Sequence, residues 1–245
     1  MNRRRVYLVG VVALLSLILV ACGAPAPQAV PEPQQESLEA QRLSRVSALK
    51  LAIVSIAKAA QQGVCDQDDN NPVISRILNR LTDELVRLTP KQTEAEKLPK
   101  VAGGWRQVWS DLDNSAPVCI SAKDIYQVVS PSGYYWNISK TILPQGNSLG
   151  LLRGKYEVQP DFLRIEFTNQ AFSPVYPAKG TNLVALAERA ENGEFIPLPS
   201  GFPVGLKGNL QNSYVDDTLR IVRGEDDRPD DKPGIFILLR ADVIN

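Results

Sequence analysis

Histidine is missing from all 245 residues. Its absence removes imidazole general bases, the usual serine-hydrolase triad and histidine-ligated metal sites. Cysteine occurs only three times and methionine once. No CxxC pair, P-loop or dinucleotide fingerprint is present. Neither sign of charge is in excess, with 27 basic and 27 acidic side chains. Nucleic-acid binding, which needs a basic surface to displace phosphate counterions, has no support here. What remains is a hydrophobic content of 44%, enough for a core. The length fits one or two domains.

The first positive signal is N-terminal. Arg3, Arg4 and Arg5 precede an apolar run, Val6 to Ala21, of 16 residues. A bilayer-spanning helix needs about 20, so the run reads as an export signal over residues 1–21. It ends in Leu19-Val20-Ala21-Cys22-Gly23. This resembles the lipobox of bacterial lipoproteins, in which cleavage before the cysteine is coupled to acylation of its thiol. Cys22 is therefore the expected lipid anchor, and membrane lipids the expected first partner. Two or three acyl chains, palmitate among them, exceed what stable anchoring requires. Loss of the leader removes three Arg and no acid, so the remaining body is mildly acidic. Attraction to anionic head groups would not hold it at a membrane. The expected location is the extracytoplasmic side of a membrane, facing the periplasm or the thylakoid lumen.

Residues 22–36 form a Pro-rich tether, GAPAPQAVPEPQQE after the cysteine. Pro25, Pro27, Pro31 and Pro33 oppose a helix and favour extended polyproline geometry. At about 3.1 Å per residue the tether reaches roughly 40 Å. A helical segment follows over residues 37–100. Ser37 is a candidate N-cap, and Val46, Leu49, Ile53, Ile56 and Ala60 make one stripe before Gly63. Asn71-Pro72 opens a second helix with Ile74, Ile77, Leu78, Leu81 and Leu85 on one face. The two helices read as core-packing elements; basic residues on the first leave a membrane-surface role as the alternative.

From Gly104 the texture turns to short β-rich runs: Trp105–Trp109, Ile125–Val129, Tyr134–Ile138, Leu151–Val158, Phe162–Phe167, Tyr214–Val222 and Ile235–Arg240. Turn residues separate them. The expected fold is mainly β with N-terminal helices, an antiparallel barrel or sandwich over residues 101–245 preceded by two helices. Leu183–Glu191 reads equally as helix or strand. Gly193–Gly208 reads as a long loop.

Gly146-Asn147-Ser148-Leu149-Gly150 fits the GxSxG pattern of hydrolases. With no histidine to take the serine proton and strand-like runs on either side, Ser148 reads as a loop serine. The acidic stretch Glu225, Asp226, Asp227, Asp230 and Asp231 does not have EF-hand spacing and reads as a solvated hairpin tip, so no metal site is expected. Cys65 and Cys119 remain once Cys22 is acylated; in an exported protein they form either a disulfide or two buried thiols.

Several of these runs resemble the plastid lipid-associated protein family, also called fibrillins. Gly104-Trp105-Arg106 with Trp109-Ser110 resembles its GxW opening. Tyr134-Tyr135-Trp136-Asn137-Ile138 resembles its YYNI-like strand. Tyr214-Val215-Asp216-Asp217-Thr218-Leu219-Arg220-Ile221-Val222-Arg223-Gly224 resembles its most diagnostic motif, and Phe236-Ile237-Leu238 its closing strand. The resemblance covers residues 63–240. The acidic insertion after Gly224 departs from it, and the lipobox makes the chain similar to a cyanobacterial lipoprotein form. The resemblance implies a lipocalin-like β-barrel and association with the lipids of photosynthetic membranes or lipid droplets. It also implies a bound lipophile: isoprenoid, carotenoid, quinone or acyl lipid. No other cofactor and no enzymatic activity are expected. By the same resemblance, Trp105 packs under an arginine from near the chain end, Arg220 or Arg223, in a structural lock. Asp216 and Asp217, in a bend entering the strand, read as pairing with Arg220 or Arg223. Trp105, Gln107 and Trp109 are expected on one strand face. Tyr135, Phe162, Ile165, Phe167 and Phe236 are the candidate pocket residues. The alternative is a structural or scaffold protein whose barrel is filled.

Overall fold

A computed structural model describes residues 32–61, 71–111, 119–199, 201, 203–227 and 233–245. Cys22, Cys65, Asp230 and Asp231 lie outside these residues, as does the side chain of Cys119. The anchor and the disulfide expectations therefore fall outside what is described. The chain divides into Met1–Glu39 and Ala40–Asn245, of which the second is described almost throughout.

Helix α1 spans Glu32–Ala59. It begins before Ser37, so the cap expected there is not one. Pro33 sits in its first turn, where a missing N–H costs no hydrogen bond. The end of the Pro-rich stretch is thus helical rather than extended. Helix α2, Pro72–Arg87, starts as its sequence indicates: Asn71 Oδ1 accepts from the Val73 N–H at 3.0 Å. A third helix, α3, covers Glu94–Val101. Among the described residues three helices, not two, precede the sheet. Thr93 and Glu96 make a capping box: Thr93 Oγ1 accepts from the Glu96 N–H and the Glu96 carboxylate accepts from the Thr93 N–H. The hydrogen bonds from the Thr93 N–H and hydroxyl hold the Glu96 carboxyl below the usual range. No helix among the described residues is long and apolar enough to cross a membrane.

The strands are β1 (Gly103–Ser110), β2 (Cys119–Ser130), β3 (Tyr134–Leu143), β4 (Gly146–Val158) and β5 (Leu163–Ser173), followed after a helix by β6 (Ile196–Pro197), β7 (Lys207–Val215), β8 (Leu219–Asp226) and β9 (Gly234–Arg240). They form one antiparallel nine-stranded sheet in the order β4-β3-β2-β1-β9-β8-β7-β5-β6. Strand β5 pairs with β7 through Leu163–Glu166 and also with β4 along its length. The sheet therefore returns on itself, and β6 hangs on the second half of β5. This is a mainly β, lipocalin-like fold with N-terminal helices.

One open element resolves, and two details differ from the reading of the sequence. Leu183–Glu191 is a helix, α4, capped by Asn182, whose Oδ1 accepts from the Ala185 N–H at 2.9 Å. The run Tyr214–Val222 is two strands. Asp216 Oδ1 splits them by accepting the N–H groups of Thr218 and Leu219, each at 2.8 Å. Gly193–Gly208 contains β6 and the start of β7.

Alternation along the strands separates an inner face from an outer one. Outside, α1 and α2 lay Leu49, Ile53, Leu78 and Leu85 on Leu219, Ile221, Ile235 and Ile237. Ile77 falls off that stripe and is exposed. Helix α4 covers Tyr126, Val128, Trp136 and Ile138 with Leu183, Leu186 and Ala187. Inside, Trp105, Val129, Tyr135, Ile165, Val222 and Leu238 pack together. Strand β8 is buried on both faces, which is why Leu219-Arg220-Ile221-Val222 shows no polar alternation. Trp105, Gln107 and Trp109 do not share a face. The β1–β9 register shifts between Gln107 and Trp109, and this bulge turns Trp109 outward to the α1–α2 cluster.

Candidate functional site

One end of the ring is sealed. Helix α3 lies across it, tied down by the Glu94 N–H to the Pro160 carbonyl at 3.0 Å. Trp105 is the plug, fully buried, its indole N–H donating to the Val101 carbonyl at 2.7 Å. The arginine stacked on it is Arg240, whose guanidinium carbon lies 3.8 Å from the ring centre. Arg220 is also near, at 6.0 Å, whereas Arg223 points to the outer face and pairs with Asp83 at 2.7 Å. Strand parity explains this. Positions 220 and 223 cannot face the same way, while Arg240 is the direct cross-strand neighbour of Trp105. Arg240 also donates to the carbonyls of Lys100 and Ala102, so it staples the end of α3 to β9.

The motif glycines are required by close approach. A Cβ on Gly104 would lie 2.2 Å from the Ala241 carbonyl oxygen. One on Gly224, facing inward, would meet Leu210 and Phe236 at 2.9 and 3.0 Å.

Tyr214 and Asp216 belong to the outer side. Tyr214 donates its hydroxyl proton to Asp216 Oδ2 at 2.7 Å, and Lys50 of α1 forms an ion pair with the same carboxylate. Asp216 thus pairs with Lys50 and not with Arg220 or Arg223. Burial pushes its carboxyl up, but the bonds from Lys50, Tyr214 and the 218–219 backbone outweigh it and hold it well below the usual range.

Above the plug lies a polar chain that the sequence reading missed. Glu94, fully buried, accepts from the Asn212 N–H at 2.9 Å and from its side-chain amide at 2.5 Å, and pairs with Lys97 at 3.1 Å. Asn212 Oδ1 accepts from Arg220 Nε at 2.6 Å. Arg220 Nη1 donates to Gln127 Oε1 at 2.6 Å, and Gln127 Nε2 donates to Asn137 Oδ1 at 3.0 Å. Burial pulls the Arg220 guanidinium down to about 10, with the Glu94 charge opposing. It stays protonated at neutral pH.

The candidate pocket residues separate by position. Tyr135 and Ile165 face inward and are buried; Phe167 and Phe236 face inward and are half-buried. The Tyr135 and Phe167 rings are tilted by 57° with centroids 6.1 Å apart. Gly154, opposite Tyr135 in register, leaves the room its ring occupies. Phe162 lies in the β4–β5 turn, outside the inward cluster. Leu152 and Phe172, not singled out from sequence, are inward and half-buried: Leu152 pairs with Asn137, and Phe172 with Gly150. Ser148 is a buried strand residue of β4, not a loop serine, and its hydroxyl donates to the Thr141 carbonyl at 3.3 Å. In the acidic stretch, Asp227 is paired with Arg164 and Glu225 accepts from Asn209.

A closed antiparallel sheet sealed at one end by a helix and a tryptophan–arginine stack defines a lipocalin-like protein. The chain belongs to the PAP_fibrillin family, whose model matches residues 47–229. This is a family of lipid-associated structural proteins, generally non-enzymatic. No curated protein matches the chain.

Proposed function

We propose that the ring holds one lipophilic molecule, an isoprenoid, carotenoid, quinone or acyl lipid, against its inner face. We further propose that the chain hangs from a membrane on its extracytoplasmic side through acylated Cys22. The supporting observation is the uneven burial of inward side chains. Next to the plug they are inaccessible, yet Leu152, Phe167, Phe172 and Phe236 keep partial exposure although they face the inside of a closed sheet. Inward apolar surface that stays accessible is what a lipophile covers, at about 25 cal/mol for each Å² removed from water. The tether reading rests on the Leu-Val-Ala-Cys sequence ending at Cys22. Each acyl methylene buried in a bilayer is worth about 0.8 kcal/mol, so two chains hold the protein without help from its charge.

The test is extraction. Protein purified from its own host should release a lipophile into organic solvent, and a fluorescent apolar probe should titrate to one site. If nothing is released and no probe binds, the ring is a filled structural module that acts on lipid surfaces without a ligand. The anchor is tested separately by mass spectrometry of the Cys22 peptide; an unmodified thiol ends that part.

A further inference from the structure

The inner polar chain has a direction, and the direction limits what the ring can hold. A guanidinium carries donors only. Arg220 Nη1 therefore takes the carbonyl oxygen of Gln127, at 2.6 Å. Gln127 is left with its NH2 group for the next partner, and it donates to the Asn137 carbonyl oxygen at 3.0 Å. The Asn137 oxygen is thereby occupied and its NH2 is turned onward, where the Asn137 side chain meets the Tyr135 hydroxyl. Every dipole in the row is set by the cation at its base, and Glu94, bonded through Asn212, matches that cation from the other side. Around the outer end of the row the surface is apolar: Leu152 is the cross-strand neighbour of Asn137, and Phe167 lies beside Tyr135. Gln127 and Asn137 are themselves half-buried, within reach from inside the ring.

We infer that the bound molecule is a lipophile carrying an acceptor oxygen, a carbonyl or carboxylate, placed against the N–H and O–H donors of Asn137 and Tyr135, with its hydrocarbon body along Leu152, Phe167 and Phe172. A plain hydrocarbon offers those donors no acceptor. This rests on the ring being a ligand site, as proposed above.

The test uses the full chain with diphenylhexatriene as reporter. A decyl-substituted benzoquinone, palmitic acid and hexadecane are compared as competitors. The acceptor-bearing competitors should displace the reporter at about tenfold lower concentration than hexadecane, the yield of one net hydrogen bond. Palmitate ahead of the quinone assigns a carboxylate; the reverse order assigns a neutral carbonyl. Asn137→Leu should shrink the preference for acceptor-bearing competitors towards parity. Should that variant not fold, the ranking on the unaltered chain decides alone. Hexadecane equal to both acceptors overturns this inference and leaves the ligand reading standing. Failure of diphenylhexatriene and every competitor to bind removes both.

Discussion

The Arg240 guanidinium carbon lies 3.8 Å from the centre of the Trp105 ring, and the same group donates to two carbonyls at the end of α3. One side chain thus joins the plug, the last strand and the sealing helix. Arg240→Ala removes a stack worth about 1–2 kcal/mol and hydrogen bonds worth about 1 kcal/mol each. The expected loss is about 3–4 kcal/mol in urea unfolding followed by tryptophan fluorescence. Arg240→Lys should recover less than half, because an ammonium neither stacks as a plane nor reaches both carbonyls. Equal stability of Arg240→Ala and the unaltered protein would show that the contact contributes nothing.

The Glu94–Asn212–Arg220 row places two fully buried charged side chains in one network. Removing one charge strands the other in a low-dielectric interior. Glu94→Gln is expected to cost about 3–5 kcal/mol, the range for breaking a buried pair. The double variant Glu94→Gln with Arg220→Met should be more stable than the sum of the single losses predicts, because neither of the two fully buried charges is then left without the other. Strict additivity in denaturant melts would mean the two charges do not sense each other.

These two clusters also mark where the amino-acid sequence is legible and where it is not. Local chemistry is readable: Asn71-Pro72 starts α2 where its residues indicate, and Thr93 with Glu96 spells a capping box that was open to reading but overlooked. Strand runs are readable from their β-branched and aromatic content. Register is not. Whether Arg220, Arg223 or Arg240 meets Trp105 depends on which strand lies beside β1, and a bulge after Gln107 sends Trp109 to the opposite face. Glu94 and Asn212 are separated by 118 positions, and nothing local to either announces the other. Four of the five candidate pocket residues, Tyr135, Ile165, Phe167 and Phe236, stand at inward strand positions. Phe162 was misplaced because a turn, not a strand, holds it.

Asp216 should make stability pH-dependent in acid. Its carboxyl is pushed up by burial but pulled down further by Lys50, Tyr214 and two backbone N–H groups, so its folded value lies below the ordinary value of about 3.8. A depressed folded value means the unfolded chain takes up the proton first. The stabilisation is complete above the ordinary carboxylate value and is lost as pH falls from there through the folded value. Asp216→Asn should flatten the acid limb of a stability–pH curve and lower stability at pH 7. A variant with the same acid limb as the parent would show that other carboxylates carry it.

Two glycine substitutions separate steric exclusion at the sealed end from backbone strain alone. Gly104 is held against backbone: a Cβ there would sit 2.2 Å from the Ala241 carbonyl oxygen, while the Ala241 N–H donates back to the Gly104 carbonyl at 3.1 Å. Neither partner can yield without parting β1 from the C-terminal segment. Gly146, in the β3–β4 hairpin, has φ +134° but nothing within 4 Å of an added Cβ. Gly146→Ala therefore meets only the conformational penalty, about 1–2 kcal/mol. Gly104→Ala must displace main chain, and its cost is expected to exceed that of Gly146→Ala by at least about 2 kcal/mol. Denaturant midpoints of the two variants measured side by side give the comparison. If they coincide, the Gly-Trp pair is not there to let the chain end close over the plug.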